Sequence, residues 1–540
     1  MAKPKFVTPV IHVGQADYSQ AATYFTPDYE YYHSVDKSLD QEPQKGQPFF
    51  KSNGKLNGKF RNAVFILDAG FPWFDNHHVM DQLPANQLLV QQDLDLPAKT
   101  RDLLDLKGAF EYDPTVPDRL ISDIQHFFYY DPDGYRFSPR AWHFNWDKLR
   151  SVSQRGNIYH ELELKPTDDW QLITMPMDSF YLPMKMANKV ALEYHTDPEN
   201  EIALKLTQID ANTQQVIQSK FVSGDELQES IDVIGNERVS FFQALIYARG
   251  EGKLQIGNLH VRRARGPYGE MMPSDEVISD KKLHGSVGVY FDAGDMKPPL
   301  NVYFAGYRTK EGYEGRRMMQ NYGAPFLLIS DWRLEGGAFY MGDQAFEQRI
   351  VDIIKETLQR LHFKSSELIL SGMSMGTFGA LYYGARLNPV GIVLGKPLAE
   401  LGTIAQNGRV KRPNDFRTSE DMQLYYESDL SDAASHKLDQ RYWKNLEQGH
   451  LSNTTLAIAY MLQDDYNKDA YQGIRDRFIE LNPTGKLLAK GFEGRHNDQT
   501  GPIVDWFQRQ YWYLLTQFDR KQPHKPKKKT LKKKHQRKGS

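Results

Sequence analysis

A compact apolar run, Glu367–Ser371 (ELILS), leads directly into Gly372-Met373-Ser374-Met375-Gly376 and then into a small-residue, helix-forming run, TFGALYYGA. The letters G-x-S-x-G alone are weak evidence, since a chain of 540 residues matches them by composition with a chance of roughly 0.2. The setting is far more specific. A strand, a sharp turn carrying serine, and a helix form the arrangement in which a serine hydroxyl is presented at the end of a sheet as a nucleophile. The glycines let backbones pass closely in that strained turn. Ser374 is therefore the candidate nucleophile, and a parallel α/β sheet is the expected frame.

A serine hydroxyl is a poor nucleophile until a base takes its proton, so an acid and a histidine should follow in order. In α/β-hydrolases the acid follows a later strand and the histidine follows the last one. The run LAIAYMLQ ends at Asp464, with Asp465 adjoining, and LLAKGFEGR ends at His496. No other histidine lies between His450 and the C-terminal tail. His496 is the candidate base. Asp464, at the start of its loop, is the candidate acid, with Asp465 as the alternative. A tetrahedral intermediate also needs donors. The backbone N–H of Met375 should supply one. The second should come from the loop after Asn301–Phe304, where Gly306 permits close approach and the Tyr307 N–H is placed to donate. Arg308 is open between a substrate contact and a solvated charge.

The pattern along the chain divides it into four parts. Residues 1–155 form a mixed or α/β region with one clear buried strand, Ala63–Leu67, ending in Asp68-Ala69-Gly70. Residues 156–270 hold short strand-like runs separated by DPEN, DANT and GNER, which predicts a β-sandwich of carbohydrate-binding type. Residues 280–520 alternate apolar strands with a helix-period segment, Asp343–Leu361, which predicts an α/β-hydrolase-like domain with a mostly parallel sheet. Within it, Pro397–His450 looks polar and irregular, an insertion over the C-terminal strand ends where ligands bind. Residues 521–540 are a basic, disordered tail.

Charge separates the tail from the body. Residues 521–540 carry ten Lys/Arg and no acid, leaving 57 Lys/Arg against 69 Asp/Glu, a net −12, in residues 1–520. An acidic body repels phosphates, so nucleic acid is not expected as a partner. The tail suits either a solubilising end or docking to an anionic membrane surface. The absence of Cys excludes disulfides and thiolate chemistry and fits a reducing compartment. With no long apolar segment near the start and none of membrane-spanning length, the protein is expected in the cytoplasm or peripheral to the inner face of the membrane. His77-His78 lacks a supporting carboxylate for a metal site. Trp142-His143-Phe144-Asn145-Trp146 is read as a core or interdomain cluster rather than a sugar-stacking surface. No phosphate-binding glycine motif follows a strand, so neither a cofactor nor a metal is expected.

Three segments carry a resemblance: SGMSMGTFGALYYGARLNPVGIVLGKPLAELGTIA, AIAYMLQDDYNKDAY and GRHNDQTGPIVDWF. They closely resemble the second accessory secretory protein family of the accessory Sec system. The likeness is strongest over about residues 285–515, and the N-terminal half is similar in architecture only. It implies a Ser–acid–His triad on Ser374, the Asp464/Asp465 pair and His496. It also implies two roles: supporting export of serine-rich repeat adhesin glycoproteins, and O-acetylating N-acetylglucosamine on them. The implied partners are other accessory Sec proteins, the accessory SecA motor and the glycoprotein substrate. Neither motif nor resemblance names the acetyl donor. A plain serine esterase or deacetylase, and a non-catalytic scaffold of the translocation complex, are the alternative functions.

Overall fold

The computed structural model describes residues 7–35, 48–51, 54–129, 134–182, 186–236, 238–282 and 284–522. All but two residues of the basic tail lie outside them. Three sheets organise the molecule. The first contains β1 (Thr8–Val13), β2 (Tyr29–Ser34), β3 (Val64–Leu67), β4 (Leu88–Gln91) and β5 (Phe110–Tyr112). These five strands are all parallel, in the order β2-β1-β3-β4-β5. That is a doubly wound arrangement with its switch point between β1 and β3. Strand β3 is an unbroken apolar run and β4 is apolar but for Gln91, whereas β1, β2 and β5 carry His, Tyr or Glu and become strands through pairing with residues distant in sequence.

The second sheet is antiparallel and joins ten strands. They are β6 (Gly134–Phe137), β7 (Trp142–Phe144), β8 (Leu149–Arg155), β9 (Tyr159–Pro176), β10 (Phe180–Leu182), β11 (Ala187–Thr196), β12 (Asn200–Asp210), β13 (Val216–Ser223), β14 (Ile231–Ile234) and β15 (Ser240–Arg263). The boundary expected at residue 155/156 moves to Gly134. Strand β6 pairs with β15, more than a hundred residues away, and β7 with the far end of β9, partners that no local pattern reveals, while β8 and β9 form a local hairpin. The long strand β15 bends at Gly250 and Gly252, both with φ near +100°, where its register with β9 shifts. Apolar residues before and after the bend, such as Phe242 and Leu254, share one core. The sheet thus folds over its own interior. Trp142 is buried in that core, whereas Trp146 is exposed.

The third sheet contains β16 (Glu276–Ser279), β17 (Ser286–Asp292), β18 (Leu300–Phe304), β19 (Phe326–Asp331), β20 (Leu368–Met373), β21 (Gly391–Gly395), β22 (Thr455–Met461) and β23 (Lys486–Phe492). Their spatial order is β16-β17-β19-β18-β20-β21-β22-β23. Only β17 runs against its neighbours. Counting within the sheet, this is 1-2-4-3-5-6-7-8 with the second strand reversed, the α/β-hydrolase order. Helices cover both faces. The helix Gln344–Arg360, capped by Asp343, buries Phe346, Ile350 and Ile354 on one side, and the helix Thr500–Leu515 buries Ile503, Phe507 and Leu514 on the other.

The insertion after β21 differs from its irregular appearance in sequence. It forms three helices, Leu401–Lys411, Ser419–Glu427 and Asp432–Glu447. Their polar composition belongs to their outer faces, while Leu401, Ile404, Leu438, Tyr442 and Trp443 are buried against the sheet domain. Among the described residues no helix is long and apolar enough to cross a membrane.

Candidate active site

Ser374 occupies the turn between β20 and the helix Met375–Leu387. Its backbone sits at φ 51° and ψ −120°, a conformation that a side chain adopts only where the surroundings enforce it. The two glycines explain how. A Cβ on Gly372 would lie 2.2 Å from the Gly376 carbonyl oxygen, and one on Gly376 would lie 2.0 Å from that of Phe304. Strand, turn and neighbouring strand therefore pack backbone to backbone, leaving the Ser374 side chain to point outward at the C-terminal edge of the sheet.

There it meets the two other side chains expected from sequence. Ser374 Oγ lies 2.9 Å from His496 Nε2. On the far side of the ring, His496 Nδ1 lies 2.8 Å from Asp464 Oδ2. With Nδ1–H donating to the carboxylate, Nε2 is left as an acceptor for the serine hydroxyl. Asp464 is itself fixed by its own loop: Oδ1 accepts the backbone N–H groups of Tyr466 and Asn467 at 2.9 and 3.1 Å. The adjoining Asp465 does not reach the ring. Its Oδ1 instead accepts the backbone N–H of His496 at 3.1 Å. The two aspartates divide the work of holding His496, one on the ring and one on the main chain.

The serine and histidine line a cavity of about 450 Å³, together with Tyr307, Met375, Lys396 and Phe416. Met375 begins the helix, so its N–H has no acceptor within that helix. On the opposite wall, the Gly306 N–H donates to Glu314 Oε2 at 2.6 Å. The Tyr307 N–H has no partner among the described residues. The two residues whose amides are expected to receive a developing oxyanion thus line the same cavity, and the helix start adds a positive potential there. Arg308 is not among the cavity-lining residues.

Several cavity residues escape sequence reasoning. The Tyr466 ring packs 4.3 Å from that of His496, and Phe416, from the helical insertion, packs on both Tyr307 and Tyr466. Tyr466 follows the aspartate pair directly, a usable signal. Phe416 gives none, because only the folded insertion brings it to the mouth. Glu314 and Lys396 close the polar side. Lys396 Nζ donates to Thr500 Oγ1 at 3.0 Å, and burial, outweighing the nearby Asp464 and Asp498 carboxylates, lowers its pKa below the ordinary lysine value. No group of three His, Cys, Asp or Glu side chains suited to a metal exists among the described residues. His77 and His78 lie on a four-residue helix in the first domain.

The strand order and the serine turn define an α/β-hydrolase-class domain, here joined to a doubly wound domain and a bent antiparallel sheet. Residues 134–520 match the family described as the accessory Sec system GspB-transporter. The chain belongs to that family. An accessory Sec system protein of Staphylococcus aureus is 38% identical over 359 residues, covering 65% of this chain and 66% of that protein. One from Streptococcus gordonii is 38% identical over 384 residues, 69% of this chain and 74% of that protein. These matches leave between a quarter and about a third of each relative unmatched. A chain of the solved Glycosylation Associate Protein (Gap123) complex from Streptococcus agalactiae is similar with a TM-score of 0.81 at 31% identity, covering 96% of this chain and 100% of that one.

Proposed function

We propose that the protein is a serine acyltransferase that O-acetylates N-acetylglucosamine on serine-rich repeat glycoproteins and supports their export through the accessory Sec system. The carrying observation is the relay Ser374–His496–Asp464 at a cavity bordered by two N–H donors. In the first half-reaction Ser374 Oγ attacks the carbonyl of an activated acetyl ester or thioester, and His496 Nε2 takes the hydroxyl proton. The tetrahedral oxyanion is held by the Met375 and Tyr307 amides. Collapse breaks the bond to the leaving group, which takes the proton from His496, and acetyl-Ser374 remains. In the second half-reaction a sugar hydroxyl attacks that ester. His496 again accepts the proton and returns it to Ser374 as the new ester leaves. Asp464 holds the imidazole in the tautomer that both halves need.

Transfer rather than hydrolysis requires that the acceptor sugar be positioned and water kept out. Phe416 and Tyr466 supply apolar faces at the mouth suited to that task. Membership of the accessory Sec family, and likeness to a chain of a complex named for glycosylation, support the glycoprotein substrate and assembly with other accessory Sec proteins and the accessory SecA motor. The site of action would be the cytoplasmic face of the membrane, with the basic tail meeting anionic lipid.

The test is incubation with an activated acetyl ester and N-acetylglucosamine, read by mass spectrometry. Acetylated sugar should form with the wild type and not with Ser374→Ala, and a fluorophosphonate should label Ser374. Hydrolysis without transfer would leave a serine esterase. Failure of the wild type to take the label would remove the triad and favour a scaffold.

A further inference from the structure

The loop between β18 and the helix Arg316–Tyr322 carries the Tyr307 amide, and its outer half is held by the bent antiparallel sheet. The C-terminal part of β15 has two faces. Leu259 and Val261 point into that sheet's own core. The alternating polar residues Asn258, His260 and Arg262, all 2% exposed or less, belong to the opposite face. His260 and Arg262 grip one carboxylate on the loop, Glu311. Its Oε1 lies 2.5 Å from His260 Nδ1 and 3.0 Å from Arg136 Nε on β6, and its Oε2 lies 2.5 Å from Arg262 Nε.

The main chain on either side is pinned as well. Arg136 Nη1 donates to Thr309 O at 2.8 Å. The Glu311 N–H donates to Gly134 O at 3.2 Å. Trp332 Nε1 donates to Gly312 O at 3.3 Å, and the Arg262 guanidinium stacks 4.7 Å over the Trp332 ring. At the inner end, Tyr340 Oη donates to Ala305 O at 2.5 Å. Between these two fixed ends lie residues 306–308, where the Gly306 N–H is itself held by Glu314 and Tyr307, the residue of the expected donor, lines the cavity.

We propose that Arg136, His260 and Arg262 are positioning residues for acyl transfer, acting through Glu311 on the loop that presents the Tyr307 N–H. A buried ionic cluster is a poor source of net stability, since apolar side chains of similar volume do as well or better. What it supplies is geometry. Three cations fix both oxygens of one carboxylate, and the loop carrying it cannot turn about its own axis. An oxyanion donor displaced by even 1 Å loses much of its effect, so a domain outside the hydrolase sheet sets the competence of the site. Burial opposes the charge on Glu311, yet the Arg262, His260 and Arg136 cations outweigh it and keep the carboxylate ionised. His260 also lies 3.2 Å from Glu193 Oε1, and that carboxylate accepts the backbone N–H of Leu334 from the loop behind Tyr307.

This inference rests on the acyl-transfer reading, and its test separates the two. Full-length wild type, Arg136→Ala, Arg136→Lys and Glu311→Gln are compared for hydrolysis of p-nitrophenyl acetate. The active fraction of each is counted by fluorophosphonate stoichiometry. Expected is a kcat per titrated site lowered roughly tenfold in Arg136→Ala and up to about a hundredfold in Glu311→Gln, the scale of one lost oxyanion donor. KM should stay within about twofold, and Arg136→Lys should recover most of the loss. A purely structural role would lower the active fraction and the thermal midpoint but leave kcat per site unchanged, which would overturn the proposal. Should Glu311→Gln fail to fold, the Arg136 pair decides. A wild type without turnover or label would instead sink the acyl-transfer reading itself.

Discussion

The molecule contains one parallel and one mostly parallel sheet, and each places a histidine against an aspartate at the end of a strand. In the first sheet, His12 Nε2 lies 3.1 Å from Asp68 Oδ2, just past β3. In the third, His496 Nδ1 lies 2.8 Å from Asp464 Oδ2, past β22. The pairs differ in what the other ring nitrogen meets. His12 Nδ1 is 2.8 Å from the Tyr31 hydroxyl, and the ring is wholly buried. His496 Nε2 faces a serine at the wall of a cavity. Space decides the difference. Beside His12 the Tyr31 hydroxyl takes the place that Ser374 holds beside His496. A histidine and an aspartate make a relay only where the third position is open to substrate. Elsewhere they are a satisfied buried pair.

That contrast can be broken at several points. Ser374→Ala should lower esterase or transferase turnover by about 10⁴-fold or more, measured with an activated acetyl ester; residual activity near wild type would show that the relay is as silent as the His12 pair. Asp464→Asn should cost about 10² to 10⁴-fold by disturbing the His496 tautomer. Asp465→Asn, which leaves the ring contact in place, should cost less than about tenfold. The opposite pattern between these two aspartates would reassign the acid.

His12→Gln should leave kcat per active site unchanged and lower folding stability by about 1–3 kcal/mol, the price of a buried carboxylate with a lost partner. Urea denaturation followed by tryptophan fluorescence reads the loss. The smallest effect is in the acid range. Burial works to raise the Asp68 pKa, but the His12 ring and the Ala16 and Gly70 amides outweigh it and hold it below the ordinary 3.8. A carboxyl lowered on folding adds stability above its unfolded value and loses it as pH falls through the folded one. Acid unfolding below about pH 4 should therefore be less steep in Asp68→Asn than in wild type, and identical slopes would assign the acid sensitivity elsewhere.

Legibility from sequence followed the range of the interactions. The turn at Ser374 is local: strand, glycine, serine, glycine and helix adjoin one another, and sterics act over five residues. Strand β3 and the helix Gln344–Arg360 were readable for the same reason, as an apolar run and a 3.6-residue period. Strand β2 hides in a tyrosine-rich segment, β1 and β5 are short runs broken by polar residues, and β6 and β7 exist only through distant partners on β15 and β9. The insertion helices concealed their packing faces within a polar average. Phe416 gained its place from long-range contacts within the hydrolase domain, and Glu311 from contacts across domains.

The chain by itself therefore determined that a serine turn is followed, in order, by an aspartate pair and a lone histidine after the last strand. It left open which aspartate takes the imidazole, because neighbouring residues in a loop project in different directions and their directions are not encoded in their adjacency. The folded structure decided it. The amides of Tyr466 and Asn467 turn Asp464 toward the ring, while Asp465 is drawn to the main chain of His496. It also decided that the loop opposite Ser374 is set by charges on another sheet, a dependence that arises only when residues 136, 260, 262 and 311 are brought into contact.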